Sequence, residues 1–256
     1  MLLSKITSRA AFALATAVLL PALVHCGAFT ARAASATPPE YVLFVGNSFV
    51  RGVKRPLRDM FRAGGVSVRI KSRARNGWTL GRHAGASSTE RMLYSRPWDV
   101  VFLQEQSAGI GVQRYPDARD LGEMIAASGA RTAFFMTWRD RGISAASYDS
   151  LKGEPGGPFG YVPIAFELDA PVAPVGWAIR NAIVSGLPFD LWKDGHHLNT
   201  LGKYLAACVC YATIMQDSPV GLPAPGALSE FEAAYLQELA ELTVLSDPDQ
   251  WNLGAP

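Results

Sequence analysis

The chain has 256 residues, 49% of them hydrophobic, 18% charged and 10% aromatic, a balance that excludes disordered and collagen-like chains. Its 24 basic and 22 acidic side chains leave a formal net charge of only +2. No basic stripe of the kind that holds a phosphate backbone is present, so nucleic acid is not an expected partner.

The first residues read as an export signal. Lys5 and Arg9 form a basic n-region, Ala10 to Val24 supply an apolar run, and Ala31-Arg32-Ala33 and Ala34-Ser35-Ala36 are A-x-A sites. The expectation is a signal peptide over residues 1–36, cleaved near Ala33 or Ala36, and a periplasmic or secreted chain of residues 37–256 forming a single domain. The apolar run is short for a bilayer and contains Pro21, so no stable membrane span is expected. Two other readings stay open: lipid attachment at Cys26, which His25 disfavours, and an uncleaved N-terminal helix.

Along the remaining chain, Tyr41 to Val45, Val66 to Ile70, Val100 to Leu103 and Thr132 to Thr137 have strand character. The first, third and fourth are continuously apolar, as strands covered on both faces are. Val53 to Arg62 places Val53, Leu57, Met60 and Phe61 at helical spacing before Gly64-Gly65, and Asp117 to Ala127 repeats the pattern. The stretch Lys152 to Pro163, rich in Gly and Pro, reads as a long loop. A fifth strand falls within Val172 to Val175, then helices over Trp177 to Val184, Leu201 to Met215 and Glu230 to Leu245. Cys208 and Cys210 lie on different faces of one helix, which suits buried hydrophobes better than a mutual disulfide. Strands alternating with helices predict an α/β domain, three layers (α/β/α) around a flavodoxin-like parallel sheet of about five strands. No metal-ligand spacing is present, and no cofactor is expected.

Parallel sheets carry ligands at the carboxyl ends of their strands, and polar residues gather there. Gly46-Asn47-Ser48-Phe49 follows the first strand directly. A serine at that turn exposes its hydroxyl and lies where a helix N-terminus favours negative charge, but it also suits an N-cap. Asp194-Gly195-His196-His197 precedes the helix at Leu201. An Asp three residues before a His can accept from its Nδ1–H and leave Nε2 free to take a serine proton. His196 is the rival to His197, and solvated loop residues would look the same.

Together these blocks resemble the SGNH (GDSL-like) hydrolase family. Val45-Gly46-Asn47-Ser48-Phe49-Val50-Arg51-Gly52 matches its first block, with Asn47 where Asp is common, and Asp194-Gly195-His196-His197 matches its fifth. The resemblance implies Ser48 as nucleophile, His197 as base and Asp194 as its partner. It also implies an oxyanion hole from the backbone N–H groups of Ser48 and Gly77, the latter in Asn76-Gly77-Trp78-Thr79-Leu80. The third block departs. Where the family has G-x-N-D, this chain has Leu103-Gln104-Glu105-Gln106-Ser107, so Gln106, or else Gln104, stands in for the asparagine donor. These strings resemble a bacterial subgroup of the family with L-Q-E-Q-S at that place.

The resemblance implies an exported serine esterase with a small-molecule or glycan ester as substrate and no metal or organic cofactor. Small acyl (acetyl-type) esters on carbohydrate lead, with Asn47, Trp78 and Trp138 as candidate substrate contacts. A lipase or thioesterase, or a catalytically silent glycan-binding or envelope protein, are the alternatives. The triad reading expects His197 Nε2 within about 3–4 Å of Ser48 Oγ.

Overall fold

A computed structural model describes residues 37–107 and 116–254. The expected signal segment, its cleavage sites and Cys26 lie outside the described residues. The described residues belong to one compact unit.

Five strands, β1 (Tyr41–Gly46), β2 (Arg69–Ala74), β3 (Val100–Leu103), β4 (Arg131–Phe135) and β5 (Val172–Ala173), form one sheet in the order β2-β1-β3-β4-β5. Every pairing is parallel, the doubly wound order expected of a flavodoxin-like sheet. The central strands β1 and β3 are buried along almost their whole length, which is why YVLFVG and VVFL carry no polar alternation. Phe44 of β1 stacks on Phe102 of β3 with centroids 4.8 Å apart, and Phe135 of β4 meets Phe44 edge-on.

The helices are α1 (Lys54–Ala63), α2 (Leu80–Ala84), α3 (Ser87–Leu93), α4 (Pro116–Ala127), α5 (Asp149–Lys152), α6 (Tyr161–Glu167), α7 (Val175–Val184), α8 (Thr200–Met215) and α9 (Glu230–Leu245). One layer packs α1, α7, α8 and α9 together, and α2, α3 and α4 pack in the other. Helix α1 turns Leu57, Met60 and Phe61 inward and leaves its arginines to solvent. Helix α9 starts on a reciprocal capping box, Ser229 accepting from the Glu232 N–H while Glu232 accepts from the Ser229 N–H. Cys208 and Cys210 are buried free thiols in α8, and burial pushes both pKa values up.

Two expected elements shift. The second strand runs Arg69–Ala74 rather than Val66 to Ile70. It is an edge strand bonded only to β1, so its solvent side carries Arg69 and Lys71, while Val68 packs into the core just before it. The Gly/Pro-rich stretch is irregular only between Gly153 and Gly160, because Lys152 closes α5 and Pro163 belongs to α6. Pro163 fits there because the first N–H groups of a helix have no partner within it.

The Phe44–Phe102 stack at the sheet centre carries a test. Phe44→Ala leaves a cavity costing about 3–5 kcal/mol, so thermal unfolding should show a melting temperature lowered by many degrees.

Candidate active site

Five connections meet at the carboxyl edge of the sheet and carry the polar residues there. Asn47 and Ser48 follow β1, Gly77 follows β2, Gln104 to Ser107 follow β3, Trp138 to Asp140 follow β4, and Asp194 to His197 lie between α7 and α8. They enclose a cleft of about 610 Å³ whose lining includes Ser48, Gly77, Gln106, Trp138, Arg139 and His197. A second cavity of about 580 Å³ opens at the opposite edge, where Val100 and Arg131 begin β3 and β4, away from these residues.

Gly46 ends β1 in a tight place. A Cβ there would strike the side chain of Gln104, so only glycine lets the two strand ends approach. Gln104 is fully buried and its Oε1 accepts the Asn47 N–H at 2.7 Å, while its Nε2 donates to the Glu105 carbonyl. The Asn47 side chain accepts from the Phe49 N–H at 3.1 Å and donates to the Trp78 carbonyl at 3.3 Å. Asn47 therefore caps the short 3-10 turn at Ser48–Val50, and the Ser48 hydroxyl is left for another partner.

That partner is His197. Ser48 Oγ lies 3.0 Å from His197 Nε2, and His197 Nδ1 lies 3.1 Å from Asp194 Oδ2. Asp194 Oδ1 also accepts the His197 and His196 N–H groups at 2.7 and 2.8 Å. These backbone donors, His197 first, hold its carboxyl down to about 2. It is thus ionised at working pH, and its contribution, complete above its ordinary 3.8, is lost as pH falls through about 2. With Asp194 accepting at Nδ1, that nitrogen carries the proton and Nε2 is left as an acceptor.

His196 turns elsewhere. Its Nδ1 lies 2.7 Å from Asp140 Oδ1, which raises its pKa, and its carbonyl accepts from Trp138 Nε1 at 2.8 Å. Trp138, buried, stacks on Phe49 at 4.4 Å, and Phe49 meets the His197 ring edge-on at 5.6 Å. The aromatic pair sets the plane of the His197 imidazole.

Among the described residues, no hydrogen bond occupies the Ser48 or Gly77 backbone N–H, and both residues line the cleft with Gln106. Two expected contacts are placed differently. Gln104 is absent from the lining because its amide is spent between β1 and β3. Trp78 packs on His83, 4.9 Å between centroids, under the Arg73 guanidinium.

Three residues not singled out by the sequence complete the frame. Phe49 is one. The buried carboxyl of Glu105 accepts the Leu80 N–H at 3.2 Å and the Gln106 N–H at 2.5 Å, joining the segment after β3 to the turn that carries Gly77. Burial pushes its pKa up while those N–H groups pull it down. The third is His83, fully buried. Its Nε2 donates to the Gly46 carbonyl at 2.9 Å, so Nδ1, 3.0 Å from Thr89 Oγ1, accepts the threonine proton. The roles of Glu105 and His83 come from burial and from contacts with residues distant in sequence, which local sequence does not announce.

No protein-family model and no curated protein matches the chain in sequence. Solved structures match in fold. A DUF4886 family protein from Bacteroides uniformis superposes with a TM-score of 0.68 at 20% identity, over 82% of this chain and 95% of that one. An acetyl xylan esterase, AlAXEase, follows with TM-score 0.51 and 14% identity over 68% and 100%. LAE5, an alpha/beta hydrolase enzyme from the metagenome of Lake Arreo, Spain, gives 0.51 and 16% over 68% and 94%. The chain has the SGNH hydrolase fold. In that fold the carboxyl edge of the sheet is where Ser48, Asp194 and His197 meet. Among the described residues, no group of three or more His, Cys, Asp or Glu side chains is placed to hold a metal, and no helix is long and apolar enough to cross a membrane.

Burial lowers the His83 pKa to about 4, from an ordinary 6.5. The unfolded chain then binds a proton between those values that the folded chain refuses, so stability falls as pH drops from 6.5 towards 4. The loss is roughly 3 kcal/mol. Melting temperature measured from pH 7 to pH 4 should fall, and more gently in His83→Gln.

Proposed function

We propose that the chain is a serine carboxylic-ester hydrolase, exported on the segment 1–36, that removes small acyl groups of acetyl type from carbohydrate. The observation that carries this reading is the continuous relay from Ser48 Oγ through His197 to the Asp194 carboxylate, at 3.0 and 3.1 Å. In the proposed mechanism Ser48 Oγ attacks the ester carbonyl and His197 Nε2 takes its proton, with Asp194 stabilising the imidazolium. The His197 proton then goes to the departing alcohol. Water, deprotonated by the same nitrogen, releases the acid from Ser48.

The developing oxyanion is held by the Ser48 and Gly77 N–H groups with the Gln106 side-chain amide. One such donor is worth about 3 kcal/mol of barrier. Gln104 has no part in it, because its amide is committed inside the sheet. Asn47 and Trp138 act by shaping the nucleophile turn and the histidine, and Trp78 is not a substrate contact. A short acyl group suits the polar wall of the cleft, where Ser107, Arg139, Asp140 and Ser147 stand. That one structure of the same fold is an acetyl xylan esterase agrees with an acetyl group on a glycan.

Hydrolysis of p-nitrophenyl esters of rising acyl length tests the proposal. Acetate should be turned over fastest, and Ser48→Ala should lose at least about a thousandfold in kcat. Wild-type rates equal to those of Ser48→Ala mean a silent scaffold; a preference for long chains means a lipase or thioesterase. Glu105, acting through Gln106 and Gly77, is a positioning residue. Glu105→Gln should lower kcat between about tenfold and a hundredfold with KM little changed. Affinity for a boronic-acid transition-state analogue should fall in step, which a loss of folded protein, monitored by thermal unfolding, would not produce.

A further inference from the structure

The Ser48–His197 pair lies between two hollows. One is the cleft holding Gly77 and Gln106; the other, of about 340 Å³, shares Ser48, Phe49, Trp138 and His197 with it and adds Arg51, Lys193 and Lys203. An ester needs two such hollows, because its acyl and alcohol parts extend on opposite sides of the carbon that the serine attacks.

The three cations come from separate elements. Arg51 follows the 3-10 turn, Lys193 stands in the loop of Asp194, and Lys203 lies in the first turn of α8. Lys203 reaches the hollow by crossing Gly52, where φ is 90° and a Cβ would meet the lysine methylenes at 2.5 Å. Glycine at 52 therefore both makes the turn and leaves a lane for the lysine stem. Among the described residues none of the three cations forms an ion pair. Asp194 is the one acid of the lining, and its oxygens already serve the His196 and His197 N–H groups and His197 Nδ1. Among the described residues, three like charges around this concave space beside Ser48 face a single carboxylate, that of Asp194, which is already committed.

We propose that this hollow is an anion subsite and that the ester it serves carries a carboxylate on the part that enters it. The proposal rests on Ser48 being the nucleophile. The carboxylate belongs to an acidic sugar bearing the ester or to a dicarboxylic acyl group; both present the same charge to Arg51, Lys193 and Lys203.

Rates of the full-length protein on matched pairs of esters separate the two sources. One pair is an O-acetylated oligouronate against an O-acetylated neutral oligosaccharide of equal length; the other is p-nitrophenyl hemisuccinate against p-nitrophenyl butyrate. In one pair the charged ester should lead in kcat/KM by about tenfold at low salt and lose that lead as salt rises. The ratio should shrink about twofold for each charge removed in Arg51→Gln, Lys193→Gln and Lys203→Gln. A lead in the first pair assigns the anion to the sugar, and a lead in the second assigns it to the acyl group. Ratios near one in both pairs, or a lead that survives in the triple variant, overturn the subsite. If no ester is turned over, the reading of Ser48 fails by itself, and the subsite is then judged by binding. Quenching of tryptophan fluorescence by an unacetylated oligouronate should be weakened in the triple variant; equal binding or none overturns it.

Discussion

The carboxyl edge of the sheet depends on how closely β1 and β3 approach at Gly46 and Gln104. A side chain at 46 would collide with Gln104, and without one the glutamine amide closes over the strand end and accepts the Asn47 N–H. From the other side, the Gly46 carbonyl accepts His83 Nε2. The turn bearing Ser48 is thereby fixed by buried, mutually satisfied polar groups. Inside a protein such bonds are strong, and leaving one unmade is costly. His83 is kept neutral chiefly by its burial, which outweighs the upward pull of the Gly46 carbonyl on its Nε2 proton.

The two halves of the site are built in different ways. Ser48 stands on the buried sheet, with Asn47, Gln104 and Glu105 tying together the connections that follow β1, β2 and β3. His197 stands in a loop at the surface, and its order is local. One carboxylate, Asp194, both turns the backbone by accepting two N–H groups and orients the imidazole. The loop is fastened to the turn after β4 by the Arg141 N–H on the Gly195 carbonyl and by an Arg141–Asp190 ion pair at 2.8 Å. Trp138 and Phe49 join the halves, stacked on each other and set against His196 and His197.

Fold class and strand succession were legible because burial on both faces leaves β1 and β3 as unbroken apolar runs and makes β4 apolar from Ala133 onward. The edge strand β2 was misread for the complementary reason. Paired on one side alone, it alternates Arg69, Lys71 and Arg73 with smaller residues, and the apolar signal sits a few residues earlier at Val66 and Val68. Ser48, Asp194 and His197 were legible from local spacing, since D-x-x-H and a serine directly after a strand need only a few neighbouring residues. Whether Ser48 or Asn47 caps the turn is decided by contacts across the sheet, and so is the inward orientation of Gln104. Neither leaves a mark in local sequence. Gln104 and Gln106, two residues apart, would share a face in a continuing strand; they part because β3 ends at Leu103, so one is held between the strand ends and the other reaches the cleft lining.

All of this places a hydroxyl, an imidazole and a carboxylate in line at the carboxyl edge of the sheet, and the central claim is that the line makes Ser48 nucleophilic. The most direct measurement is reaction with a fluorophosphonate followed by peptide mass spectrometry. The account predicts a single phosphonyl adduct on Ser48, formed rapidly in the wild-type chain and at least about a hundredfold more slowly in His197→Ala. No adduct on a folded chain, an adduct on another serine, or labelling that ignores the loss of His197 would contradict it.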